Sequence, residues 1–195
     1  MIVVSGFRGK LLGCWFLCLL MSACTTAPVK LEAPYSRAAR VQLYELPQWS
    51  LEGRVAVAGK NDSWSANIVW GHNPSKEQVK LSGPLGQGAT VIELANGVVT
   101  LDRGDGRVQS STQPEVFINQ QLGMFVPFQS LRYWVIGVPE PTQTFIETSN
   151  GFTQAGWLVE YKQMQPVGKT SMPRKITVMN NQVRLKLIID QWALE

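Results

Sequence analysis

Two runs decide the fold of this chain: Trp49-Ser-Leu-Glu-Gly-Arg-Val-Ala-Val-Ala58 and Ser63-Trp-Ser-Ala-Asn-Ile-Val-Trp70. In the first, Trp49, Leu51, Gly53, Val55 and Val57 alternate with Ser50, Glu52, Arg54, Ala56 and Ala58. In the second, Trp64, Ala66, Ile68 and Trp70 share one parity. A period of two places alternate residues on opposite faces of a strand. Gly59-Lys60-Asn61-Asp62 supplies turn residues between the runs, so they pair as a hairpin.

The same signal continues outward. Gly71 to Ser75 reads as the next turn, and strands follow at Gln78–Leu81, Thr90–Leu94, Val98–Leu101 and Arg107–Ser110. Asn96-Gly97 and Gly104-Asp105-Gly106 separate the later ones, and Asn-Gly suits a two-residue hairpin because both positions tolerate positive φ. Further on, Trp157–Lys162 and Lys175–Met179 precede an Asn180-Asn181 turn. Val183, Leu185, Leu187 and Ile189 then alternate with charged or outward residues. Short strands at such close spacing predict an antiparallel meander. Three helices interrupt it. Residues 36–46 have Ser36 as cap and Pro47 as stop. Thr112-x-x-Glu115 forms a capping box with Pro114 in the first turn and an end near Gly123. Pro127 opens the third, with Leu131, Trp134, Val135 and Val138 as an apolar stripe before Pro139. The class is mainly β with helices, α+β.

The first thirty residues carry an export signal. Arg8 and Lys10 precede an apolar stretch, Leu11 to Leu20, and Met21-Ser22-Ala23-Cys24 closes it with small residues. A permanent span needs about 20 mainly apolar residues. Ser22, Thr25, Thr26 and Pro28 end the apolar part after Met21. Residues 1–23 are thus expected to be a cleaved signal, 24–34 a Pro-containing tether and 35–195 a single domain. Cys14 and Cys18 leave with the signal, so the mature chain holds one thiol, Cys24, and has no internal disulfide. Loss of Arg8 and Lys10 lowers the formal charge from +4 to +2. The basic residues are scattered rather than arranged in a phosphate-tracking stripe, which argues against nucleic acid.

No catalytic constellation emerges. His72, the only histidine, reads as a solvated turn residue. Asp102 and Asp105 lack the ligand spacing of a calcium loop and fit hairpin turns. Gly83-Pro-Leu-Gly-Gln-Gly88 lacks the Lys-Ser/Thr ending of a phosphate loop. No cofactor is implied, and the chain reads as a binder. The mature chain has six tryptophans: Trp49, Trp64, Trp70, Trp134, Trp157 and Trp192. They fit either a filled core or a sheet curled around an apolar cavity, and periodicity does not separate the two. Trp70, Leu131, Trp134 and Val135 are the candidate lining residues. Leu85, between Pro84 and Gly86, either folds back onto the core or forms a membrane-touching tip.

Several segments together resemble the outer-membrane lipoprotein receptor LolB family. Met21 to Cys24 is similar to the bacterial lipobox, with Met21 where Leu is usual. Leu51-Glu-Gly-Arg-Val55 matches the first strand and Gly83-Pro-Leu-Gly86 the loop, with Gly83 where Asn is often found. Leu131-Arg-Tyr-Trp-Val-Ile-Gly-Val-Pro139 matches the third helix and its exit, and is the most specific element. Lys186 to Trp192 matches the final strand. The resemblance covers most of residues 49–195. It implies an incomplete antiparallel β-barrel covered by helices and enclosing an apolar cavity. It also implies lipidation at Cys24, with Thr25 in place of an Asp retention signal directing the protein to the outer membrane, on its periplasmic side. The cavity would accept acyl chains of lipoproteins from a LolA-like carrier, and Leu85 would be the membrane-inserting tip. The expected state is a monomer that is not an enzyme. A periplasmic lipid-binding sensor and a structural lipoprotein with a filled core are the competing functions.

Overall fold

The computed structural model describes residues 34–60, 62–83, 86, 88–123 and 125–195. The signal, Cys24, nearly all of the tether and Leu85 lie outside the described residues. Eleven strands form one antiparallel sheet: β1 (Trp49–Ala58), β2 (Ser63–Asn73), β3 (Lys76–Ser82), β4 (Thr90–Ala95), β5 (Val98–Asp102), β6 (Val108–Ser111), β7 (Phe145–Thr148), β8 (Gly151–Gln154), β9 (Trp157–Val167), β10 (Thr170–Met179) and β11 (Arg184–Leu194). Their order is β6-β5-β4-β3-β2-β1-β11-β10-β9-β8-β7. Two meanders are joined where the first strand pairs with the last, and β6 and β7 are the free edges, so the barrel is open. Between β6 and β7 the chain makes two helices, α1 (Pro114–Leu122) and α2 (Phe128–Ile136).

The parity read from sequence holds along the central strands. In β1, Leu51, Val55 and Val57 are buried while Glu52, Arg54, Ala56 and Ala58 are exposed. The joint between the meanders depends on Gly53. A register shift falls between Glu52 and Gly53 opposite β11. A side-chain carbon at Gly53 would stand 2.1 Å from the Ile188 carbonyl oxygen. Only glycine lets the two backbones approach this closely.

Helix α2 is the inner cover, burying Phe128, Ser130, Leu131, Trp134, Val135 and Ile136. Pro127 caps it at the start, and Gly137 ends it at φ 102°, with the Val138 N–H donating to the Tyr133 carbonyl. Such a left-handed terminus suits glycine. Helix α1 buries only Ile118.

Four local expectations are corrected. Residues 36–46 contain a 3-10 segment, Ala38–Glu45, rather than an α-helix, and Ser36 does not cap it. Tertiary bonds set its course: the Tyr35 hydroxyl donates to the Gly137 carbonyl at 3.1 Å, and Tyr44 donates to that of Pro139 at 2.7 Å. The Thr112–Glu115 capping box does not form; Gln113 is the N-cap, without a side-chain bond. Glu115 instead accepts the Gln129 N–H at 3.4 Å, tying α1 to α2. The turn placed at Gly71 to Ser75 shrinks to Pro74-Ser75, so His72 belongs to β2. Finally, His72 is not solvated: its side chain is 17% exposed, its ring stacks on Trp49, and Nδ1 lies 2.7 Å from the Glu77 carboxylate. The turn reading of the aspartates fits the geometry. Asp102 accepts the Gly104 N–H at 2.7 Å and Asp105 that of Arg107 at 3.0 Å.

Candidate functional site: a cavity beneath the first helix

The concave face is filled unevenly. Toward the end bearing the β2–β3 and β4–β5 turns, aromatic rings occupy it. Trp49 packs on Trp70 (5.6 Å between centroids) and Trp192 (5.9 Å), and Trp70 stacks on Phe128 of α2 at 5.3 Å. A second cluster lies under the rest of α2. Trp134, with 0% exposure, meets Phe152 and Trp157 at 6.4 and 6.3 Å. Aromatic pairs at such offsets contribute about 0.5–1.5 kcal/mol each beyond burial. Helix α2 is therefore held by a stacked pair at Phe128 and by edge-on and tilted contacts at Trp134.

Buried polar groups reinforce these clusters. The Trp134 indole N–H donates to the Gln154 amide oxygen at 2.7 Å. The Gln154 nitrogen donates to the Glu140 and Gln143 carbonyls at 2.8 and 3.0 Å. At the other end, the buried Glu77 carboxylate accepts from the Trp70 indole at 2.8 Å and from Arg132 of α2 at 3.3 Å, besides pairing with His72. A buried carboxylate is tolerated when its oxygens are bonded in this way. Neither Gln154 nor Glu77 carries a sequence signal that marks it as a hub.

The opposite half is different. A cavity of about 330 Å³ lies between β2, β3, β4, β5 and the last turn of α1. Trp64, Ala66, Leu81, Ile92, Leu101 and Leu122 supply its apolar lining. Trp64, Ala66, Leu81 and Leu122 pack against the edge of the core yet remain only half-buried, so the described residues cover this part of the sheet interior incompletely. The volume falls at the low end of the roughly 300–1,000 Å³ of small-molecule sites. Its polar rim includes Asp62, Ser82, Gly83 and Gly88, so it opens beside the β3–β4 connection that contains Leu85. Arg103 donates to Gln121 at 2.7 Å, bridging the β5–β6 turn and α1 across the rim.

The sequence candidates are therefore distributed as follows. Trp70, Leu131, Trp134 and Val135 are all buried and inward, but none is among the residues lining this cavity; they hold α2 to the sheet. Sequence reasoning passed over Trp64, Ala66 and Leu101. Trp64 and Ala66 were visible as inward positions of the β2 alternation, where a small Ala beside a Trp leaves space. Among the described residues, no group of His, Cys, Asp or Glu is arranged to hold a metal ion.

The family model described as "Outer membrane lipoprotein LolB" matches residues 47–192. A Chromohalobacter salexigens protein named outer-membrane lipoprotein LolB is 36% identical over 159 residues, covering 78% of this chain and 74% of its own. A Marinomonas protein of the same name is 33% identical over 184 residues, covering 90% and 93%. One from Pseudomonas aeruginosa is 30% identical over 158 residues, covering 77% of each. The family match takes in β1 to most of β11 together with both helices, and by it this chain belongs to the LolB family of outer-membrane lipoproteins.

Proposed function

We propose that this protein is the lipid-anchored outer-membrane receptor that accepts lipoproteins from a soluble, LolA-like periplasmic carrier and releases their acyl chains into the outer membrane. The observation that carries the reading is the cavity in the sheet interior: inward apolar residues around Trp64 and Ala66, only half-buried by the described residues, beside the β3–β4 connection. A structural lipoprotein with a filled core would have no reason to leave these side chains partly exposed, since each buried methylene contributes about 0.8 kcal/mol.

In this reading residues 1–23 are removed, Cys24 is acylated, 24–34 form a tether and 35–195 are the receptor domain. More than one acyl chain makes anchoring stable without protein contacts, so Cys24 sets location only. Leu85 is the membrane-touching tip. Helix α1 is the cover that yields when a chain enters. It holds one buried side chain, Ile118, against six in α2, and elements with little buried surface open at the lowest free energy. Transfer needs no energy source if it runs downhill. A chain in the cavity is covered in part, whereas the bilayer covers all its methylenes, so release is favoured once the mouth faces lipid.

The test uses the mature chain carrying Cys24→Ala, mixed with a carrier loaded with labelled lipoprotein. The label is expected to move to the receptor and then into added liposomes. A carrier that keeps its label would refute the proposal.

A further inference from the structure

The outer face of the sheet carries a second feature, which meets the cavity at Ser65. Along β1 the outward residues from Ala56 onward are small, and they meet Ser63 and Ser65 of β2, forming a shallow trough. Its walls are long cations. Arg54 flanks one part, Lys186 lies beside Ala56, and Arg184 lies beside Ala58. All three are exposed, and Lys175 is exposed on β10 beside Ile188.

Charge along this face is graded. The anions Glu52 and Asp190 stand at the far part, where Asp190 takes Arg54 at 3.5 Å between two well-exposed side chains. Lys186, Arg184 and the exposed turn residue Lys60 follow toward the β1–β2 turn. Glu160, the next anion across β10, is already paired with Lys162 at 2.9 Å. At the turn itself Asp62 accepts the Ser63 N–H at 2.8 Å. The positive end thus coincides with the end where β3 gives way to the β3–β4 connection. The trough is joined to that connection directly: Asn67, part of its wall, donates to the Gly83 carbonyl at 3.2 Å.

We infer that the trough bounded by Arg54, Arg184 and Lys186 is a docking surface for the phosphate headgroups of an anionic bilayer. It lays the domain against the membrane with the cavity mouth beside the lipid. The inference rests on the receptor reading for the anchor and the loop. Chain length argues for the bilayer as occupant. Ten residues separate Cys24 from Tyr35, and at ~3.3–3.6 Å each they reach at most about 36 Å. That is close to the roughly 33 Å length of a ten-residue strand such as β1, so the anchor keeps every face of the domain within reach of headgroups. A graded cationic face then turns toward them. Each cation close to an anionic surface contributes about fivefold to partitioning.

The experiment uses the full acylated protein reconstituted in phosphatidylcholine vesicles with and without phosphatidylglycerol. Cys24 is the only cysteine of the mature chain, so Ser65→Cys adds one thiol in the trough and Val98→Cys one at the opposite end. Labelling of the Ser65→Cys thiol by a membrane-impermeant maleimide is expected to slow about tenfold or more in anionic vesicles. It should stay fast in phosphatidylcholine and recover in 1 M salt, where the screening length falls to about 3 Å. Labelling at Val98→Cys should not respond. With Arg54→Gln, Arg184→Gln and Lys186→Gln combined, and an unchanged melting temperature, the slowing should vanish. Equal labelling in both lipids, or slowing that survives the triple substitution, overturns the proposal. So does a triple variant that slows uptake from the carrier equally in both vesicles, since the trough would then meet an acidic protein. Failure of the wild type to accept cargo at all, with the labelling pattern intact, would instead count against the receptor reading.

Discussion

Ala66 lines the cavity between Trp64 and Ile68, on the inward parity of β2, and is only half-buried by the described residues. Ala66→Leu adds three carbons to that empty space. If acyl chains occupy the cavity, those carbons displace about three methylenes of the ligand. At about 0.8 kcal/mol per methylene the loss is about 2.4 kcal/mol, and 1.4 kcal/mol per tenfold makes this about a 50-fold weaker complex. The effect on stability has the opposite sign. The new carbons leave water on folding and fill a void, so up to about 2 kcal/mol is gained, a rise of several degrees in melting temperature for a domain of this size. The assay is displacement of a fluorescent fatty acid from the soluble Cys24→Ala protein, with a thermal melt on the same samples. Ala58→Leu is the control: it adds the same atoms to the outer face and should leave fatty-acid affinity unchanged. An Ala66→Leu protein that melts higher but binds within about twofold of wild type would refute the placement of acyl chains in this cavity.

Three further outcomes follow from the same geometry. Leu85→Glu should leave fatty-acid binding and melting near wild type yet slow deposition of cargo in liposomes, and unchanged deposition would remove Leu85 from the mechanism. Gly53→Ala should destabilise the protein by about 1–3 kcal/mol, because its new carbon meets the Ile188 carbonyl rather than a movable side chain; a melting temperature equal to wild type would show that the joint between β1 and β11 relaxes freely. Burial pushes the Tyr35 and Tyr161 hydroxyls well above their ordinary value of 10.0. A raised folded value means the neutral phenols stabilise the fold fully below about pH 10, and that this contribution is lost as pH climbs toward the folded values. Melting temperature should therefore fall above pH 10, and of the four tyrosines, two should resist ionisation at 295 nm until the protein unfolds. Titration of all four together near pH 10 in the folded protein would contradict this.

How much of this was legible in the sequence depended on whether the signal was local. The long strands were, because one apolar parity runs from Trp49 to Val57 in β1, from Trp64 to Trp70 in β2 and from Leu185 to Ile189 in β11, up to the bulge opposite Gly53. Strands β7 and β8 were not assigned: each has four residues, and Ile146 of β7 points outward at 73% exposure, breaking the apolar rule. The segment after Ser36 looked helical by spacing, but its geometry is set by Tyr35 and Tyr44 reaching about a hundred residues along the chain. The cavity exposes the same limit. Trp64 and Trp70 lie on one strand and one face, so parity treats them alike. Only their height differs, and height decides that Trp70 meets Phe128 while Trp64 borders the empty half. Height depends on where α2 settles, and that is set by Gln154 and Glu77, which carry no pattern of their own.

That division of the interior bears on direction of transfer. A cavity fully collapsed on itself would charge each incoming chain the cost of reopening packed side chains, and one built wholly of rigid aromatic contacts would have no element to move. Here the rigid part and the yielding part are separate. Aromatic contacts and the Gln154 and Glu77 networks fix α2, while α1 rests on the buried Ile118, the half-buried Phe117 and Leu122, the Glu115 and Asn119 contacts with the start of α2 and the segment before it, and the Arg103–Gln121 bridge at the rim. In the proposed receptor α1 is the cover that yields, because it buries one side chain against six in α2. The half-covered residues around Ala66 still gain from contact with a chain. Affinity and release can then be adjusted separately: the lining sets how strongly a chain is held, and the α1 contacts set how readily it leaves for the larger apolar volume of the bilayer.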